Sequence, residues 1–444
     1  MKRAVLLAAV LLLLGAAVAV AAPGGGSSGF GGGGGGGGGG GFSGGGGARA
    51  GGGSSQGGGV AFLLFIGLFF LLIVTSTLLG WLQIRRMRKR RGARERQVEL
   101  ASAEAAADDA GFAADAVRQV ASQLFVSIMH AWTSRDRDAL RSHLGPDLMV
   151  EWERRLDDFD RKGWHNVCEI VRGPEIEYLG LVNRADDADD RVTVRVESTL
   201  RDFVRDRHGR TINRTNASSD VTRLAEYWTL GKRGQDWILL SIEQDAEGAH
   251  HLDAPIVASP WADGRLRDEA VTELAAADAV PDAQIAGVAD LDFDGPARAA
   301  ALDLAMVDGR FAPDVLEAAA RRAVEAWAEA VDGDDAALER AATPAAVREL
   351  LYGGDHSART RLVVRGPRLS ALRITALHAD ATPPAMSVEA DVSGRRYRED
   401  RDTAAVVEGS KEREVAFTER WTMALDGNAQ NPWRIAETGA AARA

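Results

Sequence analysis

Chemistry in this chain would have to come from a short set of side chains. His250-His251-x-Asp253 offers nitrogen and carboxylate donors of the kind that hold zinc. Adjacent histidines reach one ion only from a special loop, however, and no distant third ligand is indicated, so the segment is expected to be a polar linker packed on a sheet. Asp290-x-Asp292-x-Asp294-Gly295 copies the opening of a calcium loop, but position 12, where a bidentate Glu is needed, is Ala301. An acidic turn before a helix starting at Pro296 is the expectation there. The single cysteine, Cys168, excludes an intramolecular disulfide and any Cys-rich metal site; within a strand it reads as a small buried hydrophobe. His143 and His165 are present, but no ionisable group stands alone within an otherwise apolar strand face. No catalytic constellation, metal or cofactor is therefore expected.

The elements that would position these residues begin with an unusual N-terminus. Half of the 50 glycines in the 444 residues fall between Gly24 and Gly59. Such a tract has no apolar face to bury and cannot offset the entropy of ordering, so 23–59 reads as a Gly-rich disordered segment. Before it, Lys2 and Arg3, an apolar run and Ala19-Val20-Ala21 make 1–22 a signal peptide or signal anchor. After it, 60–82 carries no charge; a helix of that length spans about 34 Å, enough to cross a bilayer. Arg85, Arg86, Arg88, Lys89, Arg90 and Arg91 follow at once, in a basic collar and polar spacer over 84–111. Positive flanks stay in the cytoplasm, and these six side chains are candidates for anionic lipid headgroups.

The formal charge of −11 hides an asymmetry. Residues 1–96 hold eleven Lys/Arg and one acid, Glu95, so the remainder carries about −21. That balance excludes nucleic acid as a partner, because its binding rests on phosphate neutralisation by basic residues.

Beyond residue 111 the periodicity changes twice. Ala114 to Trp132 has apolar residues at helical spacing, Ser134 could cap a helix over 135–144, and Pro146 opens a third helix ending at Gly163. Strand-like runs then cover 167–171, 176–182, 192–204, 221–230 and 237–242. The same order returns over 313–440. Ala131-Trp132 matches Ala326-Trp327, Val171-Arg172-Gly173-Pro174 matches Val364-Arg365-Gly366-Pro367, and Glu226-Tyr227-Trp228-Thr229 matches Glu419-Arg420-Trp421-Thr422. Proline and tryptophan are 54 residues apart in both copies. A tandem pair, 112–247 and 313–440, is expected, with a linker of two helices over 248–312.

Ala131-Trp132, the run Glu151-Trp152-Glu153-Arg154-Arg155-Leu156 and Glu226-Tyr227-Trp228-Thr229-Leu230 resemble the bacterial branch of the inner-membrane translocase subunit 44-like domain, within the nuclear transport factor 2-like superfamily. The resemblance implies the α+β cone of that superfamily over about 112–247; with the internal repeat and the span over 60–82, the expected fold is two cone-shaped helix-plus-antiparallel-sheet domains after one transmembrane helix. The resemblance also implies a non-enzymatic binding or scaffold protein, and the apolar span with its basic flank places it at the bacterial inner membrane, with the folded domains cytoplasmic and the Gly-rich segment outside. The partner would be a protein segment or lipid, linked to protein translocation or membrane-protein assembly. Trp132, Trp152, Trp228, Trp237, Trp327 and Trp421 are the candidates for lining the cones and touching that partner. The alternative is a small-ligand-binding or enzymatic cone tethered to the membrane.

Overall fold

The computed structural model describes residues 58–212, 221–276, 291–428 and 430–439. The signal segment, nearly all of the Gly-rich tract and Asp290 lie outside them. Helix α1 (Gly58–Asp108) is continuous over 51 residues, roughly 75 Å. Among the described residues no helix is long and apolar enough to cross a membrane. The side chains of 58–74, most of the expected span, lie outside the described residues. The chain from Val98 onward belongs to one compact unit, and residues 34–97 form another.

In the larger unit the first half consists of α2 (Ala114–Ser134), α3 (Arg137–His143), α4 (Pro146–Lys162), β1 (Trp164–Val182), β2 (Arg191–Asp206), β3 (Thr211–Ile212), β4 (Val221–Arg233) and β5 (Asp236–Gln244). The strands form an antiparallel sheet in the order β1-β2-β4-β5, with β3 on β2. After α5 (Gly264–Ala276) come β6 (Leu291–Phe293), α6 (Gly295–Ala305), α7 (Pro313–Asp332), α8 (Ala336–Ala341) and α9 (Pro344–Tyr352). The second sheet uses β7 (Thr360–His378), β8 (Ala385–Asp400), β9 (Val406–Gly409), β10 (Val415–Leu425) and β11 (Trp433–Thr438). Its order is β11-β10-β8-β7-β6, with β9 on β8 and a parallel β6–β7 pair. The content is α+β with two sheets, consistent with two domains.

The same local devices hold both halves. Asp109 caps a 3₁₀ turn by accepting from the Gly111 amide at 2.7 Å; Asp308 does so for Arg310 at 3.0 Å. The phenylalanine in each turn packs edge-on against a strand tryptophan, Phe112 on Trp237 and Phe311 on Trp433. Each indole also donates to a carbonyl in the turn, at Gly111 and at Arg310. These contacts start the halves a few residues before 112 and 313. The Gly145 amide donates to the Leu239 carbonyl oxygen at 2.7 Å, and the Thr343 amide to that of Ile435 at 2.8 Å. These bonds tie the start of the third helix of each half to the last strand.

Three expectations change. The runs 167–171 and 176–182 are one 19-residue strand, as are those flanking Gly366-Pro367. Gly173-Pro174 and Gly366-Pro367 sit in bulges, where a missing amide hydrogen breaks pairing locally without ending the strand. Ser134 ends α2 instead of capping the next helix. Arg135 takes a left-handed conformation (φ 59°), and the Asp136 carboxylate accepts from the Ala139 amide at 2.9 Å. The Asp292–Asp294 segment is divided between a short strand and the cap of α6.

Each core is filled by large rings. Trp228 touches Phe125 at 5.4 Å between centroids and is fully buried. Trp228→Ala is expected to lower the unfolding free energy by about 3–5 kcal/mol through lost transfer energy and a residual cavity, read by urea titration of the full-length protein.

Candidate functional site

Charged residues buried between the two halves are the most distinctive feature. Helix α4 has two faces. Leu148, Trp152, Leu156 and Phe159 enter the first core. Asp147, Glu151, Arg154 and Arg155 fall at i, i+4, i+7 and i+8, so they share another face, and that face meets the second half. Arg155 lies 3.3 Å from Glu399, with both side chains at most 3% exposed. Arg401 approaches Glu151 at 3.7 Å, Arg154 donates to the Ser357 carbonyl oxygen at 2.6 Å, and Asp147 accepts from the Asp335 amide at 3.0 Å. Burial pushes the Glu399 carboxyl up and the Arg155 guanidinium down, and it raises Asp147 and Asp335 as well. Arg191 of β2 extends the seam to Glu329 and Asp334 at 3.0 and 2.7 Å.

At the other end of the seam Arg365, fully buried, donates to the Ile242 carbonyl oxygen at 3.3 Å and to Asp332 at 3.0 Å, and lies 4.0 Å from Glu243. Tyr397 donates to Glu247 at 3.1 Å. Glu243 also meets two imidazoles: His250 Nε2 is 2.8 Å from Oε2 and His251 Nε2 is 2.7 Å from Oε1. Burial works to raise the Glu243 carboxyl, but His250, His251 and Arg365 hold it well below the usual carboxylate range. Desolvation works against a charged His250, yet Glu243 raises its affinity for a proton overall. The Asp253 amide donates to the His250 carbonyl oxygen and closes the turn that carries both histidines. From sequence Glu243 reads as an ordinary strand residue seven positions before His250, so nothing local marks it as the partner of the histidines.

Glu226 corrects a second expectation. It shares the inward face of β4 with Leu224 and Trp228, opposite Val196 of β2, so a lone carboxyl does stand in an apolar strand face. Its contact among the described hydrogen bonds is the Trp228 indole, which donates at 3.0 Å. Burial pushes it up to about 8. The matching Glu419 turns toward Arg396 at 4.0 Å, and the indole nitrogen of Trp421 has no partner among the described residues.

The six tryptophan candidates all lie inside the two hydrophobic cores, at most 5% exposed. Two cavities, of about 350 and 500 Å³, are lined by none of them. The smaller is bounded by Asp186, Asp189, Arg265, Arg322, Glu325 and Arg340 among others, and is polar. In the collar, Arg85, Arg86, Arg88, Lys89 and Arg90 are exposed, but Arg91 is buried.

The helix–helix–helix–sheet order of the first half has a counterpart among known families. Residues 98–244 match the Tim44-like domain. The match takes in the end of α1, all of α2 to α4 and the first sheet, and stops at Gln244, one residue beyond Glu243. The Tim44-like domain thus supplies α4 and Glu243 to the seam, while both histidines and the second sheet lie outside it. Among solved structures, the intermembrane space region of the chloroplast protein ARC6 is similar over 29% of this chain and 95% of that one, at 11% identity and a TM-score of 0.23. No curated protein matches the sequence.

Two outcomes follow from this geometry. Arg365→Ala strands buried acids at the seam and should cost about 3–5 kcal/mol of unfolding free energy by urea titration; Arg365→Lys should recover little of it, because an ammonium lacks the guanidinium fork. Glu226 holds its proton more tightly when folded, so its contribution is fully present below pH about 4.5, declines as pH rises towards 8 and is flat above. Glu226→Gln should remove that decline, seen as a flatter dependence of unfolding midpoint on pH between 5 and 8.

Proposed function

We propose that the protein is a membrane-anchored, non-catalytic binding protein that presents its two sheet-bearing halves as one rigid body near the cytoplasmic face of a bacterial inner membrane. The match of 98–244 to the Tim44-like domain carries this reading, since the domain suggests protein translocation and membrane association. The order of segments supports it: an uncharged stretch over 60–82, then a cluster of exposed basic residues on the same continuous helix, then the folded unit. Five exposed cations next to a membrane contribute roughly 1 kcal/mol each on an anionic surface. The acidic remainder is repelled by that surface, so the collar, not the domains, makes the lipid contact.

The similar strand orders, paired caps and paired tryptophans support reading the halves as copies of one unit. The bound species is a protein segment or lipid, met by surfaces other than the six buried tryptophans. Glu226, a buried carboxyl in an apolar strand face, is the observation that favours the alternative, a ligand-binding or enzymatic cone.

The test is crosslinking in intact cells followed by isolation of the full-length protein from membranes. A discrete protein adduct that persists in Glu226→Gln supports the reading. Recovery of the chain in the soluble fraction, or digestion of 112–444 by protease added outside intact cells, would overturn the anchoring and its orientation.

A further inference from the structure

Glu243 lies near the end of β5, and the chain returns through a 3₁₀ turn, Gly248–Leu252, that puts His250 and His251 over it. The two rings lie 4.0 Å apart at 35°, and the three donor atoms, one from each residue, lie within 4.8 Å of one another. The turn is held in place from both sides. Tyr227 stacks on His251 at 5.7 Å, and Gly248 is required because a Cβ there would meet the Tyr227 ring at 2.3 Å. From the second half, Gly366 leaves the room that the His250 ring occupies. The carboxylate is 1% exposed and the imidazoles are 15% and 11% exposed, so what solvent access the cluster has is on the histidine side.

We propose that Glu243, His250 and His251 form a site for a zinc-class divalent cation at the seam between the two halves. Two imidazole nitrogens and one carboxylate are a donor set suited to zinc and poorly suited to magnesium or calcium, which take oxygen ligands. The present nitrogen–oxygen contacts of 2.7 and 2.8 Å are hydrogen-bond lengths, made to the two different oxygens of the carboxylate. Tetrahedral ligands at roughly 2.0–2.1 Å from zinc stand about 3.3 Å apart, and with the three donor atoms within 4.8 Å of one another the separations change by at most about 1.5 Å when the cation enters. Each imidazole then carries its hydrogen on Nδ1 and presents Nε2 to the metal, and a water completes the set on the solvent side. Arg365, 4.0 Å from Glu243, is the opposing charge; Asp332, 3.0 Å from its guanidinium, offsets it. Occupation ties the turn to β5 and so stiffens the surface on which Arg365 docks. This inference is independent of whether the protein binds a translocating chain.

The experiment uses full-length protein without a histidine tag, stripped with a chelator and titrated with Zn²⁺ and then Co²⁺. One equivalent per chain should bind, Co²⁺ should give the intense visible absorption of a four-coordinate site, and the unfolding midpoint should rise on metal addition. His250→Gln and His251→Gln should each weaken Zn²⁺ binding at least 100-fold, while Asp253→Asn leaves it unchanged. Circular dichroism of the metal-free variants checks that they fold. Should a variant not fold, histidine-ligand resonances shifted by Co²⁺ in the unsubstituted protein report the same coordination. Absence of stoichiometric binding, or binding by both histidine variants as tight as that of the unsubstituted protein, overturns the site and leaves a hydrogen-bonded network that shares protons only.

Discussion

The burial of ion pairs between the two halves is the constraint on which the remaining organisation depends. Arg155–Glu399, Arg401–Glu151 and Arg365 with its acids are removed from water together. Desolvating such groups costs several kcal/mol each unless partners are placed accurately, so the seam tolerates little sliding. A hydrophobic interface of the same area would permit many registers; charges of alternating sign permit few. The halves therefore act as one compact unit from Val98 onward, and any partner meets a composite surface.

Helix α4 shows how one element serves both purposes. Its apolar stripe completes the first core, and its charged stripe completes the seam. The two sets interleave along the helix, so a change that rotates α4 to relieve one disturbs the other. The equivalent helix of the second half, α9, is only nine residues long and supplies Tyr352 to Asp335, one of the acids that α4 touches. Similar halves have thus been put to different uses. The same holds for Val171-Arg172-Gly173-Pro174 and Val364-Arg365-Gly366-Pro367: Arg172 is exposed, while Arg365 is the most buried cation of the seam.

Much of this fold was legible because its signals are local. Apolar spacing of 3.6 and 2 residues located α2, α4 and most strands, and Pro146 marked a helix start. The repeated Trp and Gly-Pro segments pointed to two like halves. Gly-Pro misled only in detail, because a bulge and a strand end have the same composition. The site was less legible. Glu243 and Glu226 lie in strands whose neighbours are apolar, and from sequence either could face solvent. Arg155 and Glu399 are separated by 244 positions, and a charged helix face reads as solvated until the element covering it is known.

The sequence by itself determined the segment order, the charge asymmetry, the α+β content and the resemblance of the first half to a Tim44-like domain. The first three follow from composition or from periods a few residues long, and the resemblance rests on particular residues such as Glu226-Tyr227-Trp228-Thr229-Leu230. Only the tertiary structure decided that the halves dock through buried charge, that His250 and His251 converge on Glu243, and that the tryptophans are consumed in closed cores. Those outcomes depend on long-range packing, in which the environment of an ionisable group is set by residues far away in the chain, and the energy of that group changes by several kcal/mol with its environment.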